Sequence, residues 1–414
     1  MKPQESLSVG IFSAPEISFN LLKPSVISGK EYLGPLSARY EKGKVAFEGE
    51  LFDELLFSFT QPETGFSEAN FALAGVTIGV DFHWERKETQ RFAGNLKFIV
   101  EGERITAVNV IGIEDYLRSV ISSEMKASAP EEFLKAHAVI SRSWLLAQIR
   151  KKEKSLPRPA PGIENGRLIR WFDREDHLNF DVCADDHCQR YQGLSRVAAE
   201  AVDKVIEATW GEVLTCDGQI CDARFSKCCG GVTELFSSCW EDIDYRYLRS
   251  LADAPARGAE PFCNTRDRRL LSHVLNDYDL ETMDFFEWKV SYSRSELSEL
   301  VCRRSGIDFG EIRELIPLRR GPSGRIIELE IVGTKRSLVL GKELMIRRWL
   351  SESHLKSSAF TVSYEDDRIV LEGRGWGHGV GLCQIGAAVM GEKGYSYSEI
   401  LSHYFPGSAL ERQY

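Results

Sequence analysis

Five glycines alternate with other residues over nine positions near the C-terminus, in the segment Gly373–Gly381. A strand interior disfavours such a run, because glycine adds no side chain to the packing and leaves the backbone flexible. The glycines instead permit unusual dihedral angles and a close approach of the backbone to a ligand. Trp376 offers a flat face suited to stacking on a sugar ring, and His378 offers a hydrogen-bonding group. The segment therefore predicts a ligand-binding loop, and a glycine-rich turn that supports a packed tryptophan is the alternative.

The chain has 414 residues, which predicts two or three lobes, and 43% hydrophobic with 28% charged residues is typical of a globular protein. No apolar run reaches the ~18–20 residues that a membrane span requires, so the sequence predicts no transmembrane segment. The net charge of −10 argues against a nucleic-acid partner, because phosphate backbones bind basic surfaces. Met1–Leu22 lacks a basic start followed by an apolar core, so no signal peptide is visible.

The patterns of the chain predict an α+β fold, with strand-rich lobes around a helical core. Residues 1–90 read as an N-terminal β-rich region, and residues 91–411 as a second region that carries the chemistry. A Pro-rich insertion is expected at about 151–195, where Pro157, Pro159 and Pro161 lie close together. Other expected elements are a hairpin at 325–342, a strand pair at 359–372, a mainly helical stretch at 268–303 and a final helix near 387–390.

Glu124 lies between two predicted helices. The first helix holds Leu117, Val120 and Ile121 at helical spacing, and the second has a capping-box pattern that predicts Ser128 as its N-cap and Glu131 as the residue reaching back. Glu124 is therefore expected at an inter-helix corner. From spacing alone, a solvated glutamate or one bonded to a helix N-terminus is the favoured interpretation, and a catalytic role is the alternative.

The ten cysteines are clustered, and clusters that contain histidine favour metal over a disulfide framework. The ligand types that tetrahedral zinc takes occur together within twelve residues, at His177, Cys183, His187 and Cys188. A polar loop with few apolar residues gains order from such an ion. Free thiols with surface histidines are the alternative.

A second group of thiols is expected to be free, buried cysteine. Cys228 and Cys229 are adjacent, and Cys216 and Cys221 are their candidate partners if they form a second thiol site.

Three blocks together resemble the family of stage II sporulation protein D and its amidase-enhancer relatives. They are VIGIEDYLRSVISSEMKASAPEEFLKAHAVISRSW from Val110, FSKCCGGVTE from Phe225, and GRGWGHGVGLCQIGAAVMGEKGYSYSEILSHYFPGSAL from Gly373. The resemblance covers about three-quarters of the chain, from about residue 90 to 411. The sequence departs from the family pattern where cysteine replaces the usual Ser or Thr at Cys228, Cys229 and Cys383.

The resemblance implies a lytic transglycosylase that cleaves the bond between N-acetylmuramic acid and N-acetylglucosamine in peptide-stripped glycan strands, leaving 1,6-anhydro ends. The family's catalytic glutamate falls on Glu124. Substrate-contacting residues are implied at Arg142, His378 and Gln384, beside Trp376 of the glycine-rich loop. The resemblance also favours zinc at the four His and Cys ligands, in a structural role because four protein ligands leave no open position. It implies a place in the cell envelope and peptidoglycan as the partner.

Such an enzyme works with one carboxyl group instead of the usual pair. Glu124 would protonate the glycosidic oxygen and then take the proton from the sugar's own C6 hydroxyl, which requires a pKa raised by an apolar surround. A non-catalytic glycan-binding module that assists a cell-wall amidase is the main alternative, since some family members are amidase enhancers. A zinc-dependent hydrolase is a third, weaker hypothesis.

Overall fold

The structure is a computed structural model that describes residues 5–60, 66, 68–78, 86–152, 162–171, 177–185, 187–196, 199–275 and 284–414. The prolines of the predicted insertion, Pro157, Pro159 and Pro161, lie outside the described residues. The fold is mixed α+β and rich in strands, which confirms the predicted class.

The strands are mostly short and many pair antiparallel. In chain order they are β1 (Ser6–Ala14), β2 (Glu16–Ile27), β3 (Lys30–Glu41), β4 (Lys44–Phe47), β5 (Glu50–Phe52), β6 (Leu55–Phe57), β7 (Phe71–Ile78), β8 (Arg86–Phe92), β9 (Asn95–Glu101), β10 (Arg104–Gly112), β11 (Arg167–Ile169), β12 (Val182–Cys183), β13 (Glu212–Cys216), β14 (Gln219–Ile220), β15 (Phe225–Ser226), β16 (Glu287–Ser293), β17 (Ile312–Arg320), β18 (Ile326–Gly333), β19 (Ser337–Gly341), β20 (Phe360–Glu365), β21 (Arg368–Arg374), β22 (Leu382–Cys383) and β23 (Ala409–Arg412).

The described residues contain fewer helices than strands. The helices are α1 (Ile113–Glu124), α2 (Glu131–Lys152), α3 (Ala199–Ala208), α4 (Phe236–Cys239), α5 (Arg268–Val274), α6 (Arg294–Ser305), α7 (Glu343–Trp349), α8 (Gln384–Glu392) and α9 (Tyr397–Tyr404). Within the described part of the chain, none of them combines the length and the apolar character needed to cross a bilayer.

Two sheets built from the N-terminal strands extend past the boundary expected near residue 90. One sheet has the order β5-β4-β3-β2-β7-β8, and the other has the order β12-β1-β10-β9-β6. In the second sheet β1 runs antiparallel to β10, so that Ser6 lies opposite Gly112 and Ala14 opposite Ile105. The N-terminal strands therefore share a sheet and a hydrophobic core with the strands that lead into α1.

The helical core begins with α1, of which every residue is buried. α1 packs against α2, α3 and β10, so no face of it remains for water. Its first turn carries Glu114 and Asp115, the charge that a helix N-terminus favours. α2 has 22 residues and so spans about 33 Å, long enough to contact α1, α3, α8 and α9.

A second hydrophobic core lies in the C-terminal half. It is formed by the sheets β11-β19-β18-β17 and β16-β21-β20 with α6 and α7, around residues such as Trp288, Leu329 and Ile346. The predicted hairpin at 325–342 is confirmed as β18 and β19, and the predicted strand pair at 359–372 as β20 and β21. α6 begins with a capping box formed by Ser293 and Glu296.

Three local predictions were wrong. α2 begins at Glu131, and the Ser128 hydroxyl donates to the main-chain oxygen of His273 at 3.1 Å, so Ser128 anchors the corner to α5 and does not cap α2. The stretch 268–303 contains β16 between its helices, because that segment pairs with β21. A further helix, α9, follows α8 and starts with a capping box at Ser396 and Glu399.

Candidate active site

Glu124 is the last residue of α1, and it lies at the predicted inter-helix corner. The residue is 8% exposed. Its Oε1 accepts a hydrogen bond from the main-chain N–H of Arg190 at 3.1 Å. The next residue, Met125, is fully buried and ends the helix with its N–H on the oxygen of Ile121. Glu124 is thus a carboxyl group held at a helix terminus, beside apolar packing.

The segment that contacts Glu124 runs along α1. The ring of Tyr191 stacks on that of Tyr116, with centroids 5.1 Å apart and planes 17° apart. The main-chain N–H of Gln192 donates to the hydroxyl of Ser119 at 3.1 Å. These contacts hold the backbone of residues 189–192 against the helix, so the N–H of Arg190 is directed at the carboxyl group by packing on both sides.

A chain of polar contacts leads from this segment to α8. The Gln189 amide nitrogen donates to the main-chain oxygen of Ser141 at 3.4 Å, and the Ser141 hydroxyl lies 3.3 Å from His137 Nδ1. The amide nitrogen of Gln384, the first residue of α8, lies 3.0 Å from His137 Nε2. An amide nitrogen only donates, so Nε2 of His137 accepts and Nδ1 carries the proton.

His137 is fully buried, and burial together with the positive charge of Lys227 lowers its pKa to about 3. The ring is therefore neutral and serves as an internal connector. Gln384 is only 2% exposed. The side chain of Gln384 is turned to the buried imidazole, and its predicted contact with a glycan stays a prediction.

The four predicted metal ligands come together beside this segment. The ligand atoms of His177, Cys183, His187 and Cys188 all lie within 4.8 Å of one another. His177 Nε2 is 3.1 Å from His187 Nδ1, and Cys188 Sγ is 3.5 Å from the same nitrogen. Two imidazoles and two thiols at this spacing fit the donor set of a tetrahedral zinc ion.

The surroundings of Cys183 favour the thiolate form of its side chain. The hydrogen bond from Cys188 lowers its pKa to about 2, and His177 and His187 add to this effect against the opposing influence of burial. The thiolate is the form of cysteine that binds metal. The residues present therefore fit zinc.

The insertion that holds these ligands is docked on β1. Cys183 lies on β12, which pairs parallel to β1 with Cys183 opposite Gly10. A Cβ at Gly10 would lie 2.5 Å from the ring of Phe180, so only glycine leaves room for that ring. The ring of Phe180 in turn packs on that of His177 at 5.0 Å. Glycine at position 10 thereby allows the metal-ligand segment to seat on the sheet.

The metal-ligand group and Glu124 are neighbours. Arg190, whose N–H holds the carboxyl group, follows Cys188 by two residues. Tyr116 lies between them: burial raises its pKa well above the ordinary value, and Cys188, Cys183 and Glu124 each add to that shift. An ion bound at the four ligands would order the segment that contacts Glu124.

Arg142 occupies a different place from the one predicted. Its guanidinium forms a two-point ion pair with Glu114, with nitrogen–oxygen distances of 2.8 and 2.6 Å, and both side chains have 0% exposure. Glu114 also accepts the hydroxyl of Tyr414 at 2.6 Å. Glu114 and Glu124 are ten residues apart on α1, about 15 Å along the helix axis. Arg142 is therefore buried in an ion pair at the end of α1 opposite Glu124, and its predicted contact with a glycan stays a prediction.

The glycine-rich loop has the backbone that its sequence predicts. Gly375, Gly377, Gly379 and Gly381 all have positive φ, between 73° and 94°. A Cβ at Gly379 would lie 2.4 Å from the guanidinium carbon of the buried residue Arg325. The loop can lie on that guanidinium only because glycine stands there.

Trp376 and His378 are both half-buried in this loop. The ring of Trp376 stacks on that of Phe285 at 5.5 Å, and the ammonium of Lys356 lies 5.4 Å from its centre. His378 Nδ1 accepts the N–H of Val380 at 3.0 Å, and its ring lies 4.9 Å from that of Trp240.

The pKa of His378 is well below its ordinary value, first because of burial and then because of three nearby arginines, Arg224, Arg325 and Arg347. His378 is accordingly neutral and carries its proton on Nε2. The ring of His378 contacts Trp240, next to α4, and Glu124 is held by the main chain of Arg190.

The residues that connect these parts were not predicted from the sequence. Arg190 acts through its main chain, and Gln189 and Ser141 act as links between Glu124 and α8. The signal that could have drawn attention to them is their position, since Gln189 and Arg190 directly follow the predicted ligand Cys188.

Comparison with known proteins shows which families the chain resembles. The profile of a family described as Stage II sporulation protein matches residues 101–216, and that of a domain of unknown function (DUF8618) matches residues 234–381. Stage II sporulation protein D of Bacillus amyloliquefaciens is 23% identical over 73% of this chain and 74% of its own. The amidase enhancer of Bacillus subtilis is 26% identical over 71% of this chain and 40% of its own. An uncharacterized protein of Brachyspira hyodysenteriae is 26% identical over 76% of this chain and 71% of its own.

Residues 101–216 therefore match the Stage II sporulation protein family, and the chain is similar to the stage II sporulation proteins D and to an amidase enhancer. The matched region contains α1, Glu124, α2 and the four candidate metal ligands.

Proposed function

We propose that this protein acts on peptidoglycan as a lytic transglycosylase, with Glu124 as its acid/base. The names of its relatives, stage II sporulation protein D and amidase enhancer, point to a role at the cell wall. The observation that carries the proposal is the environment of Glu124. A carboxyl group at a helix terminus, 8% exposed, next to the buried Met125 and held at one oxygen by a main-chain N–H, is a positioned proton donor.

The proton transfer follows from the hydrogen bond. Since Oε1 of Glu124 accepts the N–H of Arg190, the carboxyl group that transfers the proton is held in place. In the first step this carboxyl group protonates the oxygen between N-acetylmuramic acid and N-acetylglucosamine, and the bond from that oxygen to C1 of the muramic residue breaks. In the second step the carboxylate takes the proton from the C6 hydroxyl of the muramic residue, and the C6 oxygen bonds to C1 to close the 1,6-anhydro ring. The nucleophile belongs to the substrate, so proximity replaces the second carboxylate of an ordinary glycosidase.

Two features of its surroundings act in opposite directions on the ionisation of the Glu124 carboxyl group. Burial among apolar residues favours the neutral acid that the first step needs. The N–H of Arg190 stabilises the carboxylate that the second step needs. A group that serves as acid and then as base requires both forms to be accessible at the working pH.

The zinc ion is proposed as a structural part of this site. His177, Cys183, His187 and Cys188 would hold it, and four protein ligands leave no position for a reacting water. The four residues themselves fix the start of the segment that carries Arg190, and that segment orients Glu124.

The test is the digestion of purified, peptide-free glycan strands by the whole protein, with the products identified by mass spectrometry. We expect 1,6-anhydro ends from the wild-type protein and none from Glu124→Gln, which keeps the shape of the side chain but not its proton. Glu131→Gln, at an exposed glutamate seven residues later, is the matched control and should leave the products unchanged. Undiminished turnover by Glu124→Gln would refute the proposal.

A second function is supported by a specific observation. Glu124 is nearly buried, and the segment 189–192 packs over α1 beside it, which suits a protein that binds a glycan without cutting it. In that case the protein would assist a cell-wall amidase. Retained binding of glycan strands without any anhydro product, together with faster hydrolysis by an added amidase, would favour this second function.

A further inference from the structure

A second group of metal-binding side chains lies in the core, away from the first. The ligand atoms of Cys229, Asp253, Cys263 and Cys383 all lie within 4.8 Å of one another, and each residue is at most 2% exposed. The four residues come from separate parts of the chain: the segment after β15, two loop positions, and the residue that precedes α8. The cysteines considered as partners from the sequence, Cys216 and Cys221, lie on and next to the β13–β14 pair instead.

The distances fit a shared ion. Cys229 Sγ lies 3.7 Å from Cys263 Sγ, whereas a disulfide bond requires about 2.05 Å. Two thiolates bound to one tetrahedral zinc ion at about 2.3 Å are about 3.8 Å apart. The main-chain N–H of Cys229 also donates to Cys383 Sγ at 3.2 Å, a contact that stabilises negative charge on the sulfur.

Asp253 is oriented as a metal-binding carboxylate is. The hydroxyl of Tyr404 donates to its Oδ1 at 2.5 Å, and the main-chain N–H of Cys263 donates to its Oδ2 at 2.9 Å. Such outer hydrogen bonds fix the direction of ligating groups. A Cβ at Gly386 would lie 2.4 Å from Asp253 Oδ1, so glycine at that position of α8 leaves the space that the carboxylate occupies.

Hydrophobic packing explains the thiols but not the carboxylate. Buried free cysteine behaves as a small apolar residue. A fully buried carboxyl group among three sulfur atoms is costly in its charged form unless a positive charge accompanies it, and otherwise it keeps its proton. In the described part of the chain, no Lys or Arg side chain lies within 4.0 Å of the Asp253 carboxylate. A metal ion would supply the charge.

We propose that Cys229, Asp253, Cys263 and Cys383 bind a second metal ion, for which three thiolates and one carboxylate select zinc. Cys228 lies beside the set, with its thiol in contact with those of Cys263 and Cys383, and remains outside the coordination. The ion is structural. It joins the segment around Cys229 to the start of α8. Because the neighbouring Cys228 pairs with Trp376, the ion also fixes the glycine-rich loop relative to Gln384, where the chain of polar contacts ends.

The test measures the metal content of the full-length protein by mass spectrometry of the elements. The double variant Cys183→Ser/Cys188→Ser removes the first group of ligands, and Cys263→Ser and Asp253→Asn each alter the second. We expect the first double variant to retain one zinc ion per chain, and Cys263→Ser to have one ion fewer than the wild-type protein. Cys302→Ser, in α6 and outside both groups, is the matched control and should keep the wild-type content.

A second measurement, made on the wild-type protein, tests the proposal even if the variants fail to fold. X-ray absorption at the zinc edge of the wild-type protein is expected to show more sulfur per ion than the two-sulfur first group alone can supply. A wild-type chain with one zinc ion that disappears in Cys183→Ser/Cys188→Ser would overturn the proposal. So would a disulfide between Cys229 and Cys263 in the native protein, or iron in place of zinc at these residues.

Discussion

The main-chain N–H of Arg190 donates a hydrogen bond to Glu124 Oε1 over 3.1 Å, and this contact ties the candidate acid/base to the segment that carries the first metal ligands. A change at those ligands should therefore reach Glu124 without any direct contact between zinc and substrate. The coupling runs through the backbone, because Arg190 follows Cys188 by two residues.

Cys188→Ser tests this coupling. If the proposed ion is bound, its loss should release the segment 187–192, so we expect the amide of Arg190 to exchange its hydrogen roughly tenfold faster or more than in the wild-type protein. Hydrogen exchange followed by mass spectrometry of the peptide that contains Arg190 measures this rate. Cys302→Ser is the control, and equal exchange in both variants would show that the segment is held without the ligands.

Arg142→Ala tests the structural role of the buried ion pair. It leaves the carboxylate of Glu114 buried without its partner, which typically costs about 3–5 kcal/mol in the free energy of unfolding. Replacing both residues, as in Glu114→Leu/Arg142→Met, should cost less than the sum of the single changes. Urea unfolding measures each value. An Arg142→Ala protein of wild-type stability that has lost glycan binding would support the substrate-contact hypothesis.

Gly379→Ala tests the packing of the glycine-rich loop. The new Cβ would lie 2.4 Å from the guanidinium carbon of Arg325. The alanine would also have to keep the φ of +77° that the glycine has. Gly394→Ala is the matched control, since Gly394 has a φ of +85° and nothing within 4 Å of its Cβ position. Backbone strain should lower the free energy of unfolding of both variants by about 1 kcal/mol. The steric clash should lower that of Gly379→Ala by about a further 1–3 kcal/mol. Equal losses of stability of the two variants in thermal unfolding would mean that the Arg325 side chain moves aside without an energetic cost.

His137 should make stability depend on acidity. Its folded-state pKa, lowered to about 3, lies below the value of about 6.5 in an unfolded chain. The unfolded state therefore binds the proton first as the pH falls, and stability contributed by neutral His137 is lost between about pH 6.5 and 3. His137→Gln should reduce the slope of unfolding free energy against pH in that window by about 1.4 kcal/mol per pH unit. The exposed His273 provides the control, His273→Gln, and an unchanged slope in His137→Gln would contradict the assignment.

Local patterns predicted local structure well. The hairpin of β18 and β19, the left-handed glycines of the loop and the grouping of the four ligands within residues 177–188 all depend on neighbours in sequence. The pairing of β1 with β10, which spans about a hundred residues, left no local signal. The grouping of Asp253 with Cys229, Cys263 and Cys383 also left no local signal in the sequence. Packing between distant segments of the chain brings these buried groups together.

Arg142 illustrates the limit of a site read from sequence. The family resemblance implied a shared site with Glu124, whereas the packing of α1 against α2 sets Arg142 against Glu114 at the start of α1. Only the helix pairing reveals that the two residues occupy opposite ends of α1.

The account rests on proton transfer by Glu124, and the formation of 1,6-anhydro ends from peptide-free glycan strands tests it most directly. We predict that the wild-type protein and Glu131→Gln produce such ends at equal rates and that Glu124→Gln produces none while still binding the strands. Anhydro ends released by Glu124→Gln at the wild-type rate would contradict the central claim.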